Sequence, residues 1–171
     1  MDIDELSDHI VVCGWNPAGV TMVQELFTKR RGRRPLVIVT ENPERPPGLA
    51  APDAPREMIY HHAGDYPQPS VLKQVGIEPA ASAILLTDTT VQRADQDRDA
   101  RTVLTALPIE RLPKGLFCCA ELINGEHATV LKMANLEEVV ARAWSAGVIP
   151  GSMERHPGLP AVLTALLSTP E

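Results

Sequence analysis

The sequence predicts an α/β fold, a doubly wound parallel sheet of six strands with helices on both faces. Three observations predict it. Short, continuously apolar runs alternate with amphipathic segments along the whole chain. Those runs are rich in Val, Ile, Leu and Ala, and aromatic residues make up only 4% of the sequence, as in sheets buried on both faces. Strand and helix signals follow one another, so parallel strands joined by right-handed crossovers are expected.

His9–Cys13 reads as the first buried strand and ends in Gly14. Pro17 to about Arg30 reads as a helix, because Val20, Val23, Leu26 and Phe27 recur at helical spacing and Pro17 suits a first turn. The basic residues Lys29, Arg30, Arg31, Arg33 and Arg34 fall at its carboxyl end, where the helix dipole favours cations; a solvated helix end outweighs an anion site there. Leu36–Thr40 is the second strand. Glu41 to Pro55 contains Pro43, Pro46, Pro47, Gly48, Pro52 and Pro55, so a long surface connection is expected. Glu57–His61 is the third strand, closed by Gly64 and Asp65. Ser70–Val75 is a short helix stopped by Gly76, and Ala83–Thr87 is the fourth strand. The acidic Asp88–Asp99 stretch runs into a helix carrying Ala100, Val103, Leu104 and Leu107. Leu116–Ala120, a helix over Glu126–Ala134 and Glu138–Ala141 complete the six strands. A last short helix is expected over Pro160–Leu167, within a tail broken by Pro150, Gly151, Pro157, Gly158 and Pro160. The expected organisation is a linker over 1–8, one Rossmann-like domain over 9–145 and a helical tail over 146–171.

Composition excludes several classes. With 171 residues, 44% of them hydrophobic and 22% charged, the chain is globular and holds one domain of ordinary size. Sixteen basic against 22 acidic residues give a net charge of −6, which argues against a nucleic-acid binder. Cys13, Cys118 and Cys119 lie in apolar runs with no disulfide spacing, so reduced core thiols are expected. The acidic start MDIDELSD does not read as a signal peptide, and no apolar stretch reaches the ~20 residues of a membrane helix, so a soluble polypeptide is expected.

The first strand-to-helix turn is Gly14-Trp15-Asn16-Pro17-Ala18-Gly19. The dinucleotide fingerprint G-x-G-x-x-G keeps its first and third glycines here, while Asn16 replaces the middle one, whose role is to let a pyrophosphate approach the backbone. A structural turn, or a nucleotide bound differently, outweighs the usual pose. Glu41, just past the second strand, stands where an acid accepts ribose hydroxyls, or it is a solvated loop residue. Asp65 and Asp88 end strands three and four on the ligand-binding edge, where Asp also caps helices and turns. Asp95, Asp97 and Asp99 alternate as acids around a divalent cation can, but the glycine and glutamate of a calcium loop are absent, and a helix start favoured by its dipole is the better reading. Glu121, after strand five, completes a carboxylate site or faces water. Catalysis is not expected: Cys13 is buried in the pattern, His61 and His62 lack ligand partners, Ser70 and Ser82 lack a nucleophile elbow, and no second domain remains to deliver a substrate.

The string His9–Trp15 resembles the opening of the regulator-of-potassium-conductance (RCK, or TrkA-N) domains. The likeness continues through Gly64-Asp65, Val75-Gly76-Ile77, Ala81–Thr87, Ala120-Glu121 and the passage from Leu131–Asn135 to Val139-Val140, spanning residues 9 to 145 in order. The resemblance implies a non-enzymatic, ligand-sensing module on the cytoplasmic face of the cell membrane, attached to the pore domain of a potassium channel. It also implies assembly as homodimers or rings, and binding of nucleotides or cations. On it, Gly14, Asn16 and Gly19 match the nucleotide turn, Glu41 the ribose acid, Asp65 and Asp88 the ligand edge, and Glu121 a metal-binding glutamate of calcium-gated members. The ligand stays open between NAD(H), an adenine nucleotide and Ca²⁺. The proline-rich 41–55 connection and the acidic 88–99 passage are insertions similar to those of Castor- and Pollux-type channels. Two rival readings remain: an NAD-dependent oxidoreductase fragment, and a nucleotide-sensing subunit of a separate potassium transporter.

Overall fold

The computed structural model describes residues 2–28, 34–46, 58–112, 116–127, 129–130 and 138–141. The strands are β1 (Ile10–Cys13), β2 (Leu36–Thr40), β3 (Ile59–Ala63), β4 (Ser82–Leu85), β5 (Phe117–Leu122) and β6 (Glu138–Ala141), with helices α1 (Pro17–Thr28), α2 (Pro69–Gln74) and α3 (Asp95–Glu110). Every neighbouring strand pair is parallel, in the order β3-β2-β1-β4-β5-β6. The chain therefore builds outward from β1 to β3, then returns to lay β4 on the other side of β1. That reversal opens a crevice beyond the carboxyl ends of β1 and β4.

Side-chain alternation along β1 divides the core in two. Val11 and Cys13 join Val37, Val39, Ala83 and Leu85 beneath Leu72 of α2 and Ala106 and Ile109 of α3. Ile10 and Val12 join Leu36, Ile38 and Ile84 beneath Met22, Val23 and Phe27 of α1. Both faces are covered, which is why the strands read as unbroken apolar runs. Leu6, in the segment expected as a linker, is buried in the α2–α3 cluster, behind a 3₁₀ turn at Ile3–Glu5.

Several boundaries differ from expectation. β3 starts two residues later and runs to Ala63, pairing Thr40 with Ala63 before Gly64 donates to the Thr40 carbonyl. β4 runs over Ser82–Leu85, and the Leu86 N–H donates one further bond to the Cys13 carbonyl. α3 absorbs Pro108 in its last turn, with Asp95 and Asp97 in its first. The helix expected over Glu126–Ala134 differs at its start, where a 3₁₀ turn occupies Gly125–His127, while Thr129 and Val130 are helical; residues 131–137, most of the 41–55 connection and the 146–171 tail lie outside the described residues.

Candidate functional site

The crevice floor is the β1–α1 turn. Gly14 adopts φ +85°, and a Cβ there would stand 2.6 Å from the Leu86 carbonyl oxygen, so only glycine makes the turn without strain. Gly19 serves a close approach: a Cβ on it would lie 2.7 Å from the Trp15 ring, whose indole is buried against α1. The first and third fingerprint glycines thus hold the turn in shape.

Asn16, at the middle position, is 1% exposed and fully engaged. Its Oδ1 accepts the Ala18 N–H at 2.8 Å, while its Nδ2 donates to the Thr87 carbonyl at 2.8 Å and to Glu121 Oε1 at 3.0 Å. Its own carbonyl accepts the Gly19 N–H at 2.9 Å. Glu121, 5% exposed on β5, also accepts the Thr87 N–H at 3.1 Å. The turn, the end of β4 and the end of β5 are therefore tied through one amide and one carboxylate.

A second network spans the outer rim. Arg93 Nη2 donates to Glu41 Oε1 and Oε2 at 2.9 and 2.6 Å. Arg101 Nη2 lies 2.8 Å from Glu41 Oε1 and 2.6 Å from Asp65 Oδ1, with its guanidinium 4.8 Å above the centre of the Tyr66 ring. Two arginines from the α3 side thus cross-link the carboxyl ends of β2 and β3. Partial burial raises the Asp65 carboxyl, but its hydrogen bond to Arg101 and the charge of that guanidinium outweigh it and hold Asp65 below the usual carboxylate range. Arg101 is likewise held charged: desolvation acts against the cation, and the Asp65 bond overcomes it. Burial, then the charge of Asp88, pushes the Tyr66 hydroxyl up. His61, whose Nε2 lies 2.8 Å from Thr40 Oγ1, is pulled down by desolvation and by the charges of Arg45 and His62.

Asp88 is 4% exposed; its Oδ1 accepts the N–H and hydroxyl of Thr90, and its Oδ2 has no hydrogen-bond partner. Beside this loop lies a cavity of about 480 Å³, lined by Trp15, Asn16, Pro17 and Val20 of the turn and α1, by Asn42, Glu44, Arg45 and Pro46 after β2, and by Thr89 and Thr90 after β4. It sits beyond the carboxyl ends of β1, β2 and β4.

The sequence-derived candidates divide accordingly. Gly14, Asn16, Gly19, Glu41, Asp65 and Asp88 converge on the crevice. Glu121 joins them through Asn16, whereas Asp97 is exposed in the first turn of α3. Among the described residues, no three His, Cys, Asp or Glu side chains gather as cation ligands. Asp99, read with Asp97 as an alternate acid, is buried and accepts the N–H groups of Ile123 and Asn124, with His127 Nδ1 at 2.7 Å. The residues that sequence reading missed are Arg93 and Arg101, which lie 52 and 36 residues from their partners Glu41 and Asp65. No local motif announces such a pairing.

The family model of the calcium-activated potassium channel slowpoke-like RCK domain matches residues 5–145. The chain belongs to the Slo-like RCK family. Its fold is correspondingly similar to the GsuK RCK domain, at 20% identity and TM-score 0.60 over 80% of this chain and 26% of that one. The TrkA-N domain of the inner membrane protein ybaL from Escherichia coli matches at 12% identity and TM-score 0.64, over 83% and 93% of the two chains. The human SLO3 gating ring matches at 14% identity and TM-score 0.58, over 78% and 23%. GsuK has also been solved bound to NAD and bound to ADP. This RCK domain spans about a quarter of the length of the GsuK chains. No curated protein matches the chain by sequence. The domain is thus of the regulatory type, and among the described residues no helix is long and apolar enough to cross a membrane.

Proposed function

We propose that this RCK domain is the ligand-sensing regulatory part of a potassium channel, acting at the cytoplasmic face of the cell membrane in pairs or rings of identical domains. The observation that carries the reading is the cavity beyond the carboxyl ends of β1, β2 and β4, set beside the Glu41–Arg93–Arg101–Asp65 cross-link. Asn42 lines the cavity next to Glu41, and Thr90 lines it three residues before Arg93. A ligand that repositions either loop alters the ties holding α3 to β2 and β3. α3 also carries Leu104, which is 56% exposed and available to a second copy.

Binding moves the gate only by the ligand's differential affinity for the two arrangements; each tenfold preference is worth about 1.4 kcal/mol. The ligand is bound and not transformed on this reading. Burial pushes the Cys13 thiol up to about 12, far from a reactive thiolate, and His61 is turned to Thr40. Rubidium flux into cells expressing the full gene product tests the proposal. Exchange of Arg93 and Arg101 for Ala is expected to change the flux at constant protein level. Flux indifferent to these changes and to removal of residues 5–145 would reject it.

A further inference from the structure

The dinucleotide site that this fold offers is filled, in this chain, by the chain itself. In the usual pose a pyrophosphate rests on the free N–H groups of the first helical turn, and a carboxylate after β2 takes the ribose hydroxyls. Here Pro17 has no N–H to give, the Ala18 N–H is bound by Asn16 Oδ1, and the Gly19 N–H is bound by the Asn16 carbonyl. The Asn16 side chain lies where the missing glycine would admit a phosphate, pinned by Thr87 and Glu121. The buried carboxyl groups of Glu121 and Asp88 flank the turn, so a pyrophosphate would arrive among acids and not donors. Glu41 is engaged by two guanidinium groups, with which a ribose would have to compete. The residues present do not fit a dinucleotide.

What stays open is the cavity alongside. Trp15, Pro17, Val20 and Pro46 give it apolar walls; Asn16, Asn42, Thr89 and Thr90 give it amide and hydroxyl groups; the exposed Glu44 and Arg45 add one acid and one cation to its lining. At about 480 Å³ it lies toward the small end of the usual range for ligand pockets, roughly 300–1,000 Å³. Apolar walls with a short row of hydrogen-bonding groups suit one heteroaromatic ring system, and the single cation Arg45, with the acid Glu44 beside it, suits no more than one anionic group.

We propose that the crevice selects a nucleoside or nucleoside monophosphate and excludes pyrophosphate-bridged dinucleotides, because Asn16, held by Glu121 and Thr87, occupies the pyrophosphate position. This rests on the ligand-sensing reading above. Titration calorimetry on the full chain with adenosine, AMP, GMP and NAD⁺ tests it. At least one mononucleoside probe is expected to bind ten times or more tighter than NAD⁺. Val20→Trp, which fills the cavity, is expected to weaken that probe tenfold or more, with the melting curve confirming the fold. Arg45→Glu, an exposed change that leaves packing alone, is expected to weaken a monophosphate more than its nucleoside. NAD⁺ binding as tightly as any mononucleoside overturns the proposal, as does a panel in which no mononucleoside binds. Neither result bears on rubidium flux, so the regulatory reading stands or falls separately.

Discussion

Replacing Asn16 by Ala tests the account of the turn most directly. The change removes the acceptor of the Ala18 N–H, the donor to the Thr87 carbonyl and one of the donors to the buried Glu121 carboxylate. Loss of a helix-capping acceptor costs about 1 kcal/mol. Leaving a buried acceptor one donor short costs about 1–3 kcal/mol. Together these predict a loss of about 2–4 kcal/mol, a large share of the ~5–15 kcal/mol that holds a typical domain. At roughly 2–4 °C per kcal/mol for a chain of this size, melting should fall by about 10 °C. The assay is urea unfolding of the parent, Asn16→Ala, Glu121→Ala and the double variant. Because the two side chains share a hydrogen bond, the cycle should give a coupling of about 1 kcal/mol or more. Asn16→Ser, which restores an acceptor to Ala18 but not the reach to Glu121, should recover only the capping share. Additive single changes, or an Asn16→Ala variant as stable as the parent, would refute the description of Asn16 as a structural plug.

Gly14→Ala combines a left-handed φ with a contact to a backbone oxygen that cannot swing away, since Leu86 is itself bonded to Cys13. It should lose about 2–4 kcal/mol by urea unfolding, whereas a loss under ~1 kcal/mol would contradict the geometry. Stability should also fall with acidity in two stages. The native His61 pKa is lowered, so its contribution is complete above the unfolded value of 6.5 and is lost as the pH drops below it. The native Asp65 pKa is lowered as well, so its share survives to about pH 4 and is lost only below that. Melting temperatures from pH 8 to 3 should show both stages, and His61→Gln should flatten the first alone. Finally, Cys13 should resist iodoacetamide at pH 8 in the native state and react after unfolding, as read by mass spectrometry; native labelling would contradict its burial.

The sequence by itself determined the sheet. Runs such as Leu36–Thr40 and Ala83–Leu86 are apolar without alternation because both faces of each strand are covered, and that pattern survives in one dimension. The glycines of the first turn were legible for the same reason: their constraint is local to six residues. Asn16 was legible as a departure from the fingerprint, but not as a tie, because its partner Glu121 lies 105 residues away. The role of Glu41 was similarly hidden. An acid after β2 signals a ribose in one dimension, and only the approach of α3 reveals that Arg93 and Arg101 bind it first. The strand order that brings β4 beside β1, and with it Thr87 and Asp88 to the turn, was also left to tertiary structure. Periodicity and turn chemistry act between near neighbours, whereas hydrogen bonds among buried polar side chains depend on which strand ends meet in space, and that is settled only when the whole sheet assembles.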